Sequence, residues 1–300
     1  NFKRLKIRYI IFFFSLLFFY YLIYLSFPGI LHDKSDQNYL AKLLKEKYGV
    51  EFSLTPEINY SILPKPHFQI ENVIIFNNYN NFQKEIAQVK KMKLYLVQTN
   101  FLKKRQLKIK SVELSETNFF ISKSDIAYIE NFLKNGFKEK PMIIKRANLF
   151  FQDADKGTIS FLNLKKVQMQ YNNKNYNDVL LSEGKIFNIP FKLHVSQNIT
   201  DQNNNLKLSS KKIRLNIETS IKQSETEING IFDVELFNKN NSFKYLIKND
   251  ILNFISKDKN FSGQLNFKPF YFSSNLNFNY ISRKKILNND TLIIDLLDSE

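Results

Sequence analysis

Residues 9–27 read YIIFFFSLLFFYYLIYLSF, an apolar run of nineteen residues that contains no charged side chain and only two serines, Ser15 and Ser26. In a helix, nineteen residues at about 1.5 Å each are roughly 28 Å long, which matches the ~30 Å hydrocarbon core of a bilayer. The run therefore predicts a transmembrane anchor at residues 9–27.

A basic tail, residues 1–8, precedes this run and carries Lys3, Arg4, Lys6 and Arg8. Cationic residues next to a membrane span are retained on the cytoplasmic side. These four residues are therefore predicted to determine the topology, with the N-terminus in the cytoplasm and the bulk of the chain across the membrane.

A cleaved signal peptide is the alternative interpretation of the same run. Its apolar core usually has only about 7–15 residues and ends in a small-x-small cleavage site. Here the apolar run is longer and ends in Leu25-Ser26-Phe27-Pro28-Gly29, which is a poor cleavage site for a signal peptidase. The sequence favours an uncleaved anchor.

Composition narrows the class of protein. The 300 residues contain no cysteine, which excludes disulfides, thiolate metal sites and a cysteine nucleophile. The net charge of +16 is spread along a chain rich in Asn, Lys, Ile and Phe. This charge therefore reflects either the base composition of the gene or a basic protein face near anionic lipid headgroups, rather than nucleic-acid binding. Because the chain opens with Asn1 and ends as a new apolar segment begins, we expect it to be part of a longer protein.

The spacing of apolar residues predicts the rest of the fold. Residues 28–49 form a linker with a short amphipathic helix at 37–48, which Gly49 ends. From residue 50 onward the period is near two, which is typical of strands. The expected fold is mainly β with few helices: one N-terminal transmembrane helix, then a long antiparallel, curved and groove-like sheet domain over residues 50–300.

Three local patterns break this alternation. The parity changes at Lys110-Ser111, which predicts a β-bulge. The stretch 153–157, DADKG, predicts a hairpin turn. Residues 242–255, SFKYLIKNDILNFI, are partly aligned at helical spacing and predict an interposed helix.

Catalytic and metal-binding patterns are not found. His32, His67 and His194 are scattered without metal-ligand spacing. Three S-x-x-K matches occur without companion motifs, as expected by chance in a lysine-rich chain. The stretch 153–157 resembles the start of a calcium loop, but position twelve is Leu164 instead of a bidentate glutamate. We expect no enzyme activity, no metal and no cofactor.

An alternating sheet has one apolar face, and that face must be covered by another sheet, by helices or by something that is not protein. A closed core is the usual outcome. Few helices are predicted here and phenylalanines recur along the strands, so an open sheet that shelters acyl chains is the alternative. Covering apolar surface in this way is favourable by about 25 cal/mol for each Å² removed from water.

Several stretches carry a resemblance to a known family. The order of basic tail, anchor, helix ending at Gly49-Val50, then Leu63-Pro64-Lys65-Pro66-His67-Phe68 and Glu71-Asn72-Val73 resembles the N-terminal region of the AsmA family. The continuation through Ala87-Gln88-Val89, residues 107–114 and Ala147-Asn148-Leu149 is similar to that family's strand series. The resemblance covers nearly the whole chain, without the extra repeats of TamB-like relatives.

The resemblance implies a bacterial inner-membrane protein with a periplasmic β-rich domain that takes part in outer-membrane biogenesis and phospholipid transport. From strand parity we expect lipid contact by Phe68, Ile70, Ile74, Phe76, Leu94, Leu96, Leu149, Phe151, Leu265 and Phe267. Each is equally a candidate for ordinary core. The expected partners are inner-membrane phospholipid and outer-membrane assembly proteins, and no nucleic acid.

A second hypothesis is a membrane-tethered scaffold that binds an outer-membrane assembly factor or precursor by β-strand addition. An anchored hydrolase would require clustered titratable residues, which the sequence does not show. Lipid carrier and scaffold both remain open from the sequence.

Overall fold

The computed structural model describes residues 2–31, 37–54, 57–79, 82–103, 106–125, 129, 132, 136–153, 157–198, 203–224, 226–267 and 270–277. It divides into two compact units. Unit 1 comprises residues 1–132 and 139–157, and unit 2 comprises residues 133–138 and 158–300. Each unit is a sheet built mainly from antiparallel strands, so the predicted mainly β fold with few helices is confirmed.

Unit 1 contains both long helices and the first six strands. The helices are α1 (Phe2–Leu31) and α2 (Gln37–Tyr48). The strands are β1 (Glu51–Ser53), β2 (Ile58–Ser61), β3 (His67–Tyr79), β4 (Phe82–Leu96), β5 (Ile109–Ser122) and β6 (Met142–Asp153).

Helix α1 starts in the predicted basic tail and continues past Pro28 to Leu31. The segment Tyr9–Leu31 is 23 residues long, with a mean hydropathy of 2.2, and is long and apolar enough to cross a membrane. The predicted anchor is confirmed to that extent. The side chains of Lys3, Arg4, Lys6 and Arg8, on which the predicted orientation depends, lie outside the described part of the structure.

The sheet of unit 1 has the strand order β1-β3-β4-β5-β6. Strand β1 pairs with residues 74–76 of β3, and β2 pairs with residues 67–70 of the same strand. Strands β5 and β6 are parallel, and the other pairs are antiparallel. Between β4 and β5 the register shifts, because Tyr95 faces Ser111 whereas Leu96 faces Ile109. Lys110 is the extra residue, so the predicted bulge is confirmed.

Helix α2 covers one face of this sheet. Its Leu40, Leu44 and Tyr48 are each at most 1% exposed. The Tyr48 hydroxyl donates to the carbonyl of Pro141 at 2.9 Å, and Lys47 Nζ donates to the carbonyl of Ile109 at 2.6 Å. The apolar stripe of α2 and the apolar face of the sheet therefore bury each other, and the polar ends of the helix side chains are satisfied by the strands.

A crease crosses four strands of unit 1 at one level, formed by Asn72, Lys90, Glu116 and Arg146. The flanking pairs Glu71 with Lys91, Lys91 with Ser115, and Ser115 with Lys145 place these residues in one row. Three of them have positive φ: 52° at Asn72, 54° at Glu116 and 51° at Arg146. Glu116 is joined to Lys90 at 3.0 Å and to Arg146 at 2.9 Å, and both cations lower the pKa of its carboxyl.

The crease changes which residues face the core. In β3 the buried apolar residues are Phe68 and Ile70 before it, and Val73 and Ile75 after it. The buried residues are thus three apart across the crease instead of two, because the left-handed residue turns the strand over. Strict alternation along 68–76 was the prediction, and it is wrong beyond Asn72.

Unit 2 contains ten strands, each paired antiparallel with the next. They are β7 (Gly157–Asn172), β8 (Asn177–Ile186), β9 (Ile189–Asn198), β10 (Asn203–Ser210), β11 (Leu215–Gln223), β12 (Glu227–Leu236), β13 (Lys239–Lys248), β14 (Ile251–Ser256), β15 (Phe261–Phe267) and β16 (Phe270–Leu276). Residues 154–156 of the hairpin turn predicted at 153–157 lie outside the described part of the structure.

Three hairpins of unit 2 use two-residue turns in which both residues have positive φ: 187–188, 237–238 and 249–250. This is the type I′ geometry, whose twist matches that of paired strands. The last of these turns, Asn249-Asp250, lies within the predicted helix at 242–255. That prediction is wrong, because the segment forms β13, the turn and β14.

The crease can be tested at Asn72, whose side chain is exposed. Glycine has no steric penalty at positive φ, whereas a β-branched residue does. We expect Asn72→Gly to keep or raise the free energy of unfolding and Asn72→Val to lower it by about 1–2 kcal/mol. Thermal unfolding of the full chain in mild detergent, followed by far-ultraviolet circular dichroism, measures both changes.

The matched control is Gln69→Gly in the same strand, where the backbone is extended. Glycine there should cost about 0.5–1 kcal/mol. A cost as large for Asn72→Gly as for Gln69→Gly would contradict the left-handed conformation at Asn72.

Candidate functional site

One side of the unit 2 sheet is apolar from strand to strand. Residues directly opposite each other in an antiparallel pair share a face, so the registers of β9 to β16 define its members. We name this surface the apolar face. Its apolar members include Leu193, Val195, Leu206, Leu208, Ile217, Phe232, Val234, Phe243, Ile247, Leu252, Phe254, Phe261, Leu265 and Phe272. Thr219, Asn241 and Ser256 lie on the same face.

Phenylalanine rings form the middle of the apolar face. Phe232 and Phe243 stack with ring centroids 4.7 Å apart, and Phe243 meets Phe254 edge to face at 6.2 Å. Phe254 in turn lies 5.3 Å from Phe261 and 6.3 Å from Phe272. The rings therefore make a continuous aromatic surface from β12 to β16.

Glycines on this face lie beneath aromatic rings. Gly230 is directly opposite Tyr245, and Gly263 is directly opposite Phe254. A Cβ at Gly230 would be 2.0 Å from the carbonyl oxygen of Ser220, and one at Gly263 would be 2.5 Å from the Phe254 ring. Glycine is required at both positions because the backbone and the ring already fill that space.

The opposite face of the same strands is more polar, although it includes Ile231, Leu246 and Ile255. Lys207 pairs with Glu218, and Lys192 Nζ lies 3.1 Å from a carboxylate oxygen of Glu183. These partners lower the pKa of both carboxyls, Lys207 for Glu218 and Lys192 for Glu183. The two faces differ in chemistry, so water suits one and hydrocarbon suits the other.

The described residues of unit 2 form strands and turns, without a helix or a second sheet that could cover the apolar face. Its apolar members in β9 to β15 are half-buried, and Phe272 is 52% exposed. Each described strand of unit 2 pairs with its neighbours, so within these strands the face presents side chains above paired peptide groups.

Residues 136–138 cover the apolar side at its beginning, where β7 and β8 pair. The Phe137 N–H donates to Asp178 Oδ1 at 2.9 Å, and Lys138 Nζ lies 5.3 Å from the centre of the Tyr171 ring. Asp178 is 2% exposed, and burial raises the pKa of its carboxyl despite this hydrogen bond. The apolar side is thus closed at β7 and β8 and carries no such cover from β9 onward within the described residues.

Four of the predicted lipid-contacting residues lie in the core of unit 1. The exposed fraction is 1% for Phe68, 0% for Ile70, 0% for Leu94 and 3% for Leu96. Protein already surrounds these side chains, on the sheet face that α2 covers. They could meet a lipid only if this core opened.

The remaining predicted residues have other positions. Ile74 and Phe76 lie on the face opposite to Phe68, because the crease at Asn72 reverses the parity. Leu149 and Phe151 in β6 are half-buried. The structure therefore does not bring the unit 1 residues together as one lipid-facing row.

In unit 2, Leu265 is a member of the apolar face, opposite Leu252 and Phe272. Phe267 pairs with Phe270 in the β15–β16 ladder, but its side chain lies outside the described part. Sequence reasoning missed Phe243 and Phe254 because it assigned residues 242–255 to a helix. The Asn249-Asp250 pair was the available signal, since Asn and Asp tolerate positive φ.

Comparison with protein-family models finds no match, and a search of curated proteins returns no match to this chain.

Leu94 tests whether the unit 1 positions are core. It lies between Phe68 and Val112 in the register, and a buried carboxylate there has no partner. We expect Leu94→Asp to destabilise unit 1 by more than about 4 kcal/mol, the range of severe core disruption. Gln88→Asp, an exposed position in the same strand, is the control and should change the unfolding midpoint little. A stable Leu94→Asp chain would contradict the closed core.

Asp178 gives unit 2 a defined pH dependence. Its pKa in the folded state is raised above 3.8, so the folded state binds the proton more tightly and stability rises as pH falls through the raised value. We expect Asp178→Asn, which keeps the acceptor for the Phe137 N–H, to raise the midpoint of thermal unfolding at pH 7. The difference from wild type should shrink as the pH falls toward 4.

Asp178→Ala serves as the control because it removes the acceptor. Relative to Asp178→Asn, leaving the Phe137 N–H unsatisfied should cost about 1–3 kcal/mol at every pH. If Asn and Ala lowered the midpoint at pH 7 by equal amounts, burial would not be what raises the pKa of Asp178.

Proposed function

We propose that this chain is a membrane-anchored, non-catalytic lipid carrier whose apolar face in unit 2 shelters the acyl chains of phospholipids. The observation that carries the proposal is the contrast between the two faces of one sheet. One face carries apolar side chains on every strand from β9 to β16, with a few polar residues such as Thr219 and Asn241 among them, and the other carries ion pairs such as Lys207 with Glu218.

The physics of the sheet supports acyl chains as the occupant. A hydrocarbon surface gains about 25 cal/mol for each Å² removed from water, whether protein or lipid provides the cover. The backbone groups under the apolar face are paired between strands, so a lipid tail meets no unsatisfied N–H or C=O group. Lipid headgroups would remain in water beside the sheet.

The anchor supports a membrane source for the lipid. Helix α1 is long and apolar enough to span a bilayer, and the four cations before it favour a cytoplasmic N-terminus. With this orientation we assign the strands of both units to the far side of a bacterial inner membrane, in the periplasm, with the loop between β2 and β3 of unit 1 at the membrane. The resemblance to the AsmA family adds the proposal that the lipid traffic serves outer-membrane biogenesis.

Neighbouring residues in β14 provide a matched test. Phe254 lies on the apolar face, and Ile255 lies on the polar face opposite Lys244 and Ser262. We expect Phe254→Asp to reduce the phospholipid that co-purifies with the full chain, because a carboxylate in contact with acyl chains costs several kcal/mol. Ile255→Asp should leave it unchanged. Mass spectrometry of lipid extracts from detergent-purified protein measures both.

A second matched pair excludes loss of folding as the cause. Phe272 and Tyr271 in β16 are 52% and 59% exposed, so charge at either position should be tolerated by the fold. Phe272→Asp should reduce bound phospholipid and Tyr271→Asp should not, with unchanged circular dichroism. Equal lipid in all four variants, or none in the wild type, would overturn the lipid proposal and favour the scaffold that binds by β-strand addition.

A further inference from the structure

A cavity of about 770 Å³ lies where α1 meets the sheet of unit 1. Its helix wall includes Phe18 and Leu22, and its other wall includes Ile62 and Leu63 from the loop between β2 and β3. Gln98, after β4, also lines it, and the cavity is open on one side. The volume falls within the range of about 300–1,000 Å³ that is usual for ligand sites.

Several contacts hold α1 in place beside this cavity. The Tyr60 hydroxyl donates to the carbonyl of Leu25, which is 5% exposed, and Tyr24 stacks on Phe101 with centroids 5.5 Å apart. A Cβ at Gly29 would be 2.6 Å from the Tyr60 ring, so the helix approaches the strand as closely as a glycine permits. The cavity is therefore built between fixed elements.

The position along α1 places the cavity at the level of a bilayer. Phe18 is the middle residue of the apolar run 9–27 and lies about 13 Å from either end of it at 1.5 Å per residue. The remaining helix residues of the wall lie between Phe18 and Ser26. The cavity thus extends along the outer half of the span, and Leu63 at its rim is 76% exposed.

The chemistry of the wall suits a hydrocarbon chain. The hydroxyl of Tyr21 donates to Gln98 Oε1 at 2.9 Å, that of Ser26 to the carbonyl of Leu22 at 2.9 Å, and that of Ser61 to the carbonyl of Leu63 at 3.0 Å. These polar groups are already paired within the protein. The rest of the wall is mostly apolar and lies against the helix face that lipid tails would otherwise surround.

We propose that this cavity is a lipid-entry site that holds one acyl chain of a phospholipid from the adjacent leaflet of the bilayer that α1 spans. The inference rests on the proposed function in naming phospholipid as cargo, but it concerns a different unit and a different site. Leu63 enters the leaflet as the outer lip of the site, and α1 serves as its inner wall as well as the anchor.

The chain contains no tryptophan, so a single introduced tryptophan is its only indole fluorophore. The full chain with Leu63→Trp is reconstituted in vesicles of phosphatidylethanolamine and phosphatidylglycerol whose acyl chains carry bromine, which quenches nearby tryptophan. It is then extracted and washed in bromine-free mild detergent. We expect the fluorescence to stay below that of a sample prepared with unbrominated lipid, because the lipid in the cavity is retained.

Phe19→Trp is the matched control on α1. Phe19 is 61% exposed and is not part of the cavity wall, so its quenching should disappear once the surrounding bilayer is washed away. Loss of quenching at Leu63→Trp together with Phe19→Trp would overturn the entry site.

Phe254→Trp on the apolar face separates this inference from the proposed function. Quenching retained at Phe254→Trp but lost at Leu63→Trp overturns the entry site and leaves the proposed function standing. Quenching retained at Leu63→Trp but absent at Phe254→Trp supports the entry site and counts against the carrier face. Circular dichroism of each variant verifies that it is folded.

Discussion

Hydrogen bonding between neighbouring strands is the constraint on which the rest of this structure depends. Once peptide groups pair along a sheet, side chains must project alternately to its two faces, and an apolar sequence on one parity makes one face apolar. The chain then has to cover that face. The two units meet this requirement differently, and the difference is the basis of the proposed function.

Unit 1 covers its sheet with its own helix. Leu40, Leu44 and Tyr48 of α2 reach zero or near-zero exposure against the strands, and hydrogen bonds from Tyr48 and Lys47 fix the helix over them. Among the described residues of unit 2, the segment around Phe137 covers the sheet at its first two strands. Beyond it, stacked aromatic rings and the glycines beneath them form an ordered, mainly apolar surface.

Sequence periodicity predicted the mainly β class, the apolar N-terminal helix, α2 and the bulge at Lys110, because each depends on local spacing. Periodicity did not predict the crease, because glutamate and arginine are not residues that indicate positive φ. The positive φ of Glu116 and Arg146 is seen only in the structure, where they lie side by side on paired strands. Periodicity also failed at residues 242–255, where apolar residues at helical spacing outweighed the Asn249-Asp250 turn. Which apolar positions are covered was not predictable, because cover depends on tertiary placement of α2.

The two-residue turns of unit 2 join strands that are neighbours in both sequence and space, with each strand paired to the one before it. Removing or inserting one hairpin would leave the pairing of the others intact and change the width of the apolar face by about 10 Å, two strand spacings of 4.7–4.9 Å. The width of the apolar face can therefore change during evolution by one hairpin at a time, without a change in a protein core.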